Sequence, residues 1–184
     1  MATFRTSRPV LAADLTTPNL ILVGLPGAGK SSVGRAVAET LGRNFLDFDL
    51  EIERREGATI AEIFGARGEP YFRKLELALS SELRESGNFV LSPGGGWIAN
   101  PGCVEAIRPP ATMIYLQIQP ARALQRMAAQ ANARPLLRRP DPLAELTALL
   151  AAREPLYVLA DHTVRVDFLR EKEVVANIVA LASA

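Results

Sequence analysis

The sequence predicts an α/β protein, with a mostly parallel sheet sandwiched between layers of helices, and three observations predict it. Short apolar runs of strand length alternate with segments of helical apolar spacing. The first apolar run feeds directly into a glycine-rich turn and then a helical pattern, and no internal repeat, low-complexity tract or membrane-length apolar stretch breaks the alternation. At 184 residues and 48% hydrophobic content, the chain suits one compact domain with a sizeable core.

Residues 1–18 carry Arg5, Arg8 and Asp14 with scattered proline and threonine, and lack the apolar centre of a signal peptide. They are expected to form a flexible leader, with a single domain over 19–184 and a cytoplasmic location. Formal charge is +1, from 21 Lys+Arg against 20 Asp+Glu, so no global basic field favours a nucleic-acid partner, and small molecules fit better. The single cysteine, Cys103, excludes an internal disulfide, Cys-cluster metal sites and a CxxC redox motif, and reads as a small helix residue.

The first predicted strand, 20–23, ends in G-L-P-G-A-G-K-S at 24–31. A buried strand closing in glycines aims backbone N–H groups at phosphate oxygens, Lys30 can reach the β and γ phosphates, and the Ser31 hydroxyl suits Mg²⁺. The motif is short enough to arise by chance, so its flanks matter. Behind it Val33, Val37 and Leu41 recur at helical spacing over 31–41, and a helix starting there directs its positive dipole end at a bound anion.

Further strands are predicted at 45–48, 89–92, 113–118 and 163–166, and further helices at 50–55, 60–64, 69–84, 120–129, 143–159 and 171–182. Crossover helices between parallel strands place the strands' carboxyl ends and following loops around a common crevice. Asp47 and Asp49, in F-L-D-F-D-L-E-I-E, end the second strand two residues apart. In extended chain they face the same way, with Phe48 packed behind, so one can hold a water of a Mg²⁺ shell and the other can deprotonate a hydroxyl. A solvated acidic loop leading into a helix cap is the plainer reading, and the adjoining phosphate loop favours the functional one.

Other signals are open on residue type alone. Arg73 follows Phe72 in G-E-P-Y-F-R-K-L-E and is an ordinary surface charge unless partnered. Gly94, Gly95 and Gly96 follow the third strand through Pro93, as a tight turn or a close approach to ligand, and Trp97 beside them reads as core or pocket wall. Residues 130–141, with Arg134, Arg138 and Arg139, read as a loop closing over nucleotide or a solvated basic loop. Pro155 in R-E-P-L-Y is expected to kink or end the last long helix but one, turning Arg153 into the crevice.

Taken together, the motifs G-L-P-G-A-G-K-S-S-V-G-R, D-F-D-L-E-I-E, T-I-A-E-I-F with G-E-x-x-F-R-x-x-E, G-G-G, R-P-L-L and R-E-P-L-Y resemble the shikimate kinase family over about residues 20–182. The resemblance implies a P-loop kinase fold of the nucleoside monophosphate kinase type: a three-layer sandwich with a five-stranded parallel sheet in the order 2-3-1-4-5. It implies a cytoplasmic monomer that phosphorylates the 3-hydroxyl of shikimate with ATP and Mg²⁺, with a substrate-binding region at about 49–77 and a lid at about 130–141. Carried over residue by residue, Asp49 is the base, and Asp49, Arg73, Gly94, Gly95, Gly96 and Arg153 bind shikimate. Gly27, Ala28, Gly29, Lys30, Ser31, Ser32 and the lid's Arg134 bind nucleotide. Lys30 and Arg134 stabilise the transferring phosphoryl group, Ser31 ligates Mg²⁺, and Asp47 contacts it through water. Two guanidiniums converging on one carboxylate give planar charge-assisted hydrogen bonds that lysine would not reproduce.

This chain departs from the family pattern at position 127, seven before Arg134, where an adenine-stacking arginine is often found and Met127 stands instead, next to Arg126. Pro93 and Trp97 around the glycines are also less usual. Two rival readings are a gluconate or nucleoside monophosphate kinase of the same P-loop group, and a catalytically reduced sensing module. The paired arginines with Asp49 favour a carboxylated polyol, and the intact set of Lys30, Ser31, Asp47, Asp49 and Arg134 favours catalysis.

Overall fold

In a computed structural model, the structure describes residues 17–129 and 139–183. Most of the expected leader and most of the lid, Arg134 included, lie outside the described residues. Thr17 and Pro18 are tied to the body, accepting hydrogen bonds from Asn88 N (2.8 Å) and Arg43 Nη1 (2.9 Å).

The strands are β1 (Leu20–Val23), β2 (Asn44–Asp47), β3 (Phe89–Ser92), β4 (Thr112–Gln117) and β5 (His162–Arg165). All pair in parallel in the order β2-β3-β1-β4-β5, the order the family resemblance implies. The helices are α1 (Lys30–Leu41), α2 (Phe48–Glu56), α3 (Ile60–Arg67), α4 (Glu69–Arg84), α5 (Cys103–Ile107), α6 (Pro120–Ala129), α7 (Pro142–Tyr157) and α8 (Glu171–Ala182), with a 3₁₀ turn at Trp97–Ala99.

The alternation of strand side chains divides the core between the two faces of the sheet. Leu20 and Leu22 of β1 pack with Val33 and Val37 of α1 and Val174 and Ile178 of α8, while Ile21 and Val23 pack with Leu75, Leu79 and Leu83 of α4 and with Cys103 and Ile107 of α5. The result is the predicted three-layer sandwich. Central β1 is buried along its whole length, as its unbroken apolar run requires. Cys103 is a fully buried helix residue, and burial pushes its thiol up to about 12, which keeps it inert.

Two boundaries differ from the sequence-based expectation. The second strand stops at Asp47 instead of running through Phe48, because the Asp47 carboxylate caps α2, its Oδ1 accepting from Asp49 N (3.1 Å) and Leu50 N (3.4 Å). Asp47 and Asp49 therefore do not share one side of an extended segment. They lie close because the chain turns into a helix between them, and the cap reading of Asp47 holds. Pro155 does not break α7 on the spot: it lies inside the helix, where its missing N–H leaves the Ala151 carbonyl without an i+4 donor, and the helix ends two residues later at Tyr157. The five-residue α5, in which Cys103 is the helix residue expected, and the 3₁₀ turn have no counterpart among the helix spans predicted from periodicity.

Candidate active site

The phosphate loop leaves the end of β1 and closes onto the first turn of α1. Its glycines are held by backbone: a Cβ at Gly24 would stand 2.6 Å from Leu116 O, and one at Gly27 2.6 Å from Ala123 O, with both residues at positive φ. Lys30 lies beneath the loop, Nζ donating to Gly24 O (2.9 Å) and Leu25 O (3.2 Å). The Ser31 hydroxyl donates to Asp47 Oδ2 (2.7 Å) and lies 3.2 Å from Ser92 Oγ, while Ser32 Oγ donates to Gly29 O. Register explains the meeting of strand ends, since Asp47 pairs with Ser92 at the carboxyl edge of β2 and β3.

A cavity of about 610 Å³ opens over this loop, with Gly27 to Ser32 on one wall and Arg122, Arg126, Leu169 and Glu171 on another. Arg126 Nη2 donates to the carbonyls of Val166 and, at 3.3 Å, Leu169, which pins its guanidinium in the cavity wall. Met127 is fully buried, with Cγ against the space where a Gly27 side chain would stand. Of the two neighbours, Arg126 therefore lines the cavity over the loop and Met127 packs against Gly27 from the protein interior.

On the other side of the loop, the three consecutive glycines meet three different side chains. A Cβ on Gly94 would lie 2.7 Å from Asp49 Oδ1, one on Gly95 3.3 Å from Arg153 Nη1 and 3.6 Å from Pro26, and one on Gly96 2.6 Å from Arg73 Nη2. This bare turn gathers Asp49 from α2, Arg73 from α4 and Arg153 from α7 around one point beside the phosphate loop.

Arg73 is not a solvated surface charge. Its Nη1 donates to Glu76 Oε2 (2.7 Å), and Nε and Nη2 donate to Glu69 Oε1 (3.0 and 2.6 Å). Burial works against its charge, and the hydrogen bonds to Glu76 and Glu69 outweigh it, so its pKa is raised. Glu76 is fully buried and accepts from Asn100 Nδ2 (3.1 Å), which also donates to Arg73 O (2.8 Å). The Glu76 carbonyl accepts from Ser80 Oγ (2.8 Å), and Ser80 Oγ accepts from Trp97 Nε1 (2.9 Å). Trp97 is core, edge-on to Phe48 at 6.1 Å between ring centroids.

The supporting roles of Glu76, Ser80 and Asn100 were not anticipated, whereas Trp97 takes the core reading of its two. A signal existed, because positions 76 and 80 continue the buried stripe that begins at Phe72 at four-residue spacing. A charged residue on an apolar stripe asks for a buried partner.

Asp49 has the most informative electrostatics. Burial, foremost, and the neighbouring Asp47 charge push its carboxyl up to about 6, against the opposing pull of Lys30; Glu53 adds to the rise and Arg73 opposes it. A carboxylate so tuned is ionised at neutral pH yet far more basic than a free aspartate, which suits proton abstraction from a hydroxyl. Among the described residues no cluster of three His, Cys, Asp or Glu side chains is arranged to hold a metal ion. The Ser31 hydroxyl and the Asp47 carboxylate, 2.7 Å apart, are a sparse pair of oxygen ligands of the kind that would fit Mg²⁺ carried mainly by water and phosphate oxygens.

The family model described as shikimate kinase matches residues 26–182. A shikimate kinase of Symbiobacterium thermophilum is 43% identical over 145 residues, covering 78% of this chain and 83% of that protein. One from Pseudomonas syringae pv. tomato is 44% identical over 163 residues, covering 88% and 94%. Among solved structures, the shikimate kinase of Acinetobacter baumannii in complex with shikimate superposes with a TM-score of 0.82 at 41% identity, covering 90% of this chain and 93% of that one. A gluconokinase of Sinorhizobium meliloti, at 18% identity and TM-score 0.62, shares the fold alone. On the family match, these identities and the five-stranded sheet beneath the phosphate loop, the chain belongs to the shikimate kinase family.

Proposed function

We propose that the protein transfers the γ-phosphoryl group of ATP to the 3-hydroxyl of shikimate, giving shikimate 3-phosphate and ADP. The observation that carries this is the convergence of Asp49, Arg73 and Arg153 on Gly94, Gly95 and Gly96, beside the phosphate loop. One base and two guanidiniums suit a hydroxylated carboxylic acid, which sets a nucleobase aside; gluconate carries the same groups, and the family match favours shikimate over it.

Nucleotide phosphates lie along Gly27, Ala28, Gly29, Lys30, Ser31 and Ser32, where N–H groups at the start of α1 point outward. Lys30 leaves the Gly24 and Leu25 carbonyls to meet the phosphate oxygens. Arg73 and Arg153 take the substrate carboxylate, while Gly94, Gly95 and Gly96 leave the ring room to approach backbone. This clamp holds the 3-hydroxyl against Asp49, which accepts its proton as the oxygen attacks the γ-phosphorus. Ser31, and Asp47 through water, would hold the Mg²⁺ that accompanies the nucleotide, and the ion would neutralise charge on the phosphates. Arg134, on the family likeness, meets the developing charge from the lid. The protein acts as a cytoplasmic monomer without nucleic-acid or membrane partners, and among the described residues no helix is long and apolar enough to cross a membrane.

A coupled assay of ADP release, run with ATP and shikimate, gluconate or nucleoside monophosphates as acceptor, tests the proposal. Turnover dependent on shikimate alone is the expected result. Equal turnover without shikimate, or none with Mg·ATP bound, would overturn it.

A further inference from the structure

Arg73 carries two carboxylates of different kinds. Glu76 has no exposed side-chain surface and is locked by Asn100, so it cannot leave. Glu69 is 61% exposed, stands on the first turn of α4, and takes the Nε–Nη2 edge of the guanidinium with a single oxygen, Oε1. That edge offers two parallel N–H donors, the arrangement a carboxylate fills best with both of its oxygens. Glu69 fills it with one.

We propose that Glu69 is a placeholder for the substrate carboxylate: it occupies the ligand-facing edge of Arg73 between turnovers and is displaced when a two-oxygen ligand arrives. The proposal rests on the reading of Arg73 as a carboxylate-binding residue. Displacement is easy on three counts. The contact is an exposed i,i+4 pair, which is worth little. Its geometry is inferior to that of a bidentate ligand. Once released, the Glu69 carboxylate stays at the N-terminus of α4, where the helix dipole favours a negative charge. Meanwhile Glu76 keeps the guanidinium against Gly96, so Arg73 does not need Glu69 to hold its place.

The arrangement also filters ligands. An anion that meets only one N–H, or meets both weakly, gains nothing over Glu69 and stays in solution. Glu69 thus lowers by one common factor the affinity of every anion that must displace it, so anions that bind the bare edge weakly stay unbound at concentrations where a bidentate carboxylate still binds.

The test compares the full-length protein with Glu69→Gln, Glu69→Asp and Arg73→Lys, reading shikimate KM and kcat, shikimate Kd by calorimetry in the presence of an unreactive ATP analogue, and competition by inorganic sulfate. Glu69→Gln is expected to lower KM and Kd for shikimate about two- to fivefold, the worth of an exposed ion pair, with kcat and the KM for ATP unchanged. Sulfate becomes a several-fold stronger competitor of shikimate in the same variant. Glu69→Asp, which keeps the charge on a shorter stem, falls between Gln and the parent. A raised or unchanged shikimate KM in Glu69→Gln overturns the placeholder role, the former showing that Glu69 orients Arg73 for the substrate. Failure of the underlying reading is separable: it shows as an unchanged shikimate KM in Arg73→Lys, whatever the Glu69 variants do.

Discussion

The Asp49 carboxylate occupies the space in which Gly94 would carry a side chain: a Cβ there would lie 2.7 Å from Oδ1. Gly95 and Gly96 stand in the same relation to Arg153 and Arg73, so the triplet works as a mould for three side chains as well as a floor for the ligand. Single alanine substitutions should therefore separate the roles. Gly94→Ala pushes the Asp49 carboxylate aside and lowers kcat by about 10²- to 10⁴-fold, the usual share of a general base. Gly96→Ala displaces the flexible end of Arg73 and raises the shikimate KM with a smaller change in kcat. Gly95→Ala, at 3.3 Å, is the mildest. Steady-state kinetics of the three variants checks the order, and equal losses in all three would contradict it.

The pH profile follows from Asp49. Its carboxyl must be ionised to accept a proton, and with its pKa pushed up to about 6 the rate with saturating ATP should fall as pH drops through about 6 and level off above it. An acid limb centred near 4 would show that Asp49 is an ordinary exposed carboxylate or is not the base.

The same shift makes a statement about stability. A carboxyl whose folded pKa rises from 3.8 to about 6 favours the fold fully when both states are protonated, below about pH 4, and that contribution is lost as pH rises through about 6. Asp49→Asn removes the loss, so at pH 8 the variant should be more stable than the parent by up to about 3 kcal/mol while turning over far more slowly. Melting temperatures at pH 4.5 and 8 measure it: the gap between variant and parent should be the wider at pH 8.

Arg126 and Met127 should divide by phenotype. Arg126→Ala opens the wall of the nucleotide cavity and raises the ATP KM several-fold with little effect on shikimate. Met127→Ala empties a fully buried site beneath Gly27 and lowers stability by about 2 to 5 kcal/mol. Denaturation midpoints and ATP titrations assign each; a destabilised Arg126→Ala with normal ATP binding would reverse the assignment.

Asn100→Ala leaves buried Glu76 with Arg73 as its remaining hydrogen-bonded side chain and removes the side-chain donor to the Arg73 carbonyl. The expected cost is about 1 to 3 kcal/mol of stability with a raised shikimate KM, and urea denaturation beside kinetics reads both.

Much of this molecule was legible before its coordinates. Central β1, its phosphate loop and α1 were readable because an unbroken apolar run, glycines in a set pattern and a 3.6-residue period coincide there. Asp49, Arg73 and Arg153 were placed by likeness to a family, and the structure brings them together. Less legible were α5, whose five residues complete little more than one turn, and the end of β2, where apolar Phe48 extends the strand pattern while Asp47 caps a helix. Glu76 and Glu69 were both part of a quoted motif, yet spacing alone does not say that one is sealed in the core and the other open to solvent.

The two arginines ride on helices of equal length and unequal anchorage. Among the sixteen residues of α4, Phe72, Leu75, Glu76, Leu79, Ser80 and Leu83 are buried; among the sixteen of α7, Leu146 and Tyr157 are. Segments with fewer buried contacts open at lower free energy, so the backbone amides of α7 should exchange with deuterated water well before those of α4. Of the two arms of the clamp, the one bearing Arg153 is the one that breathes, and shikimate should slow its exchange more than that of its partner.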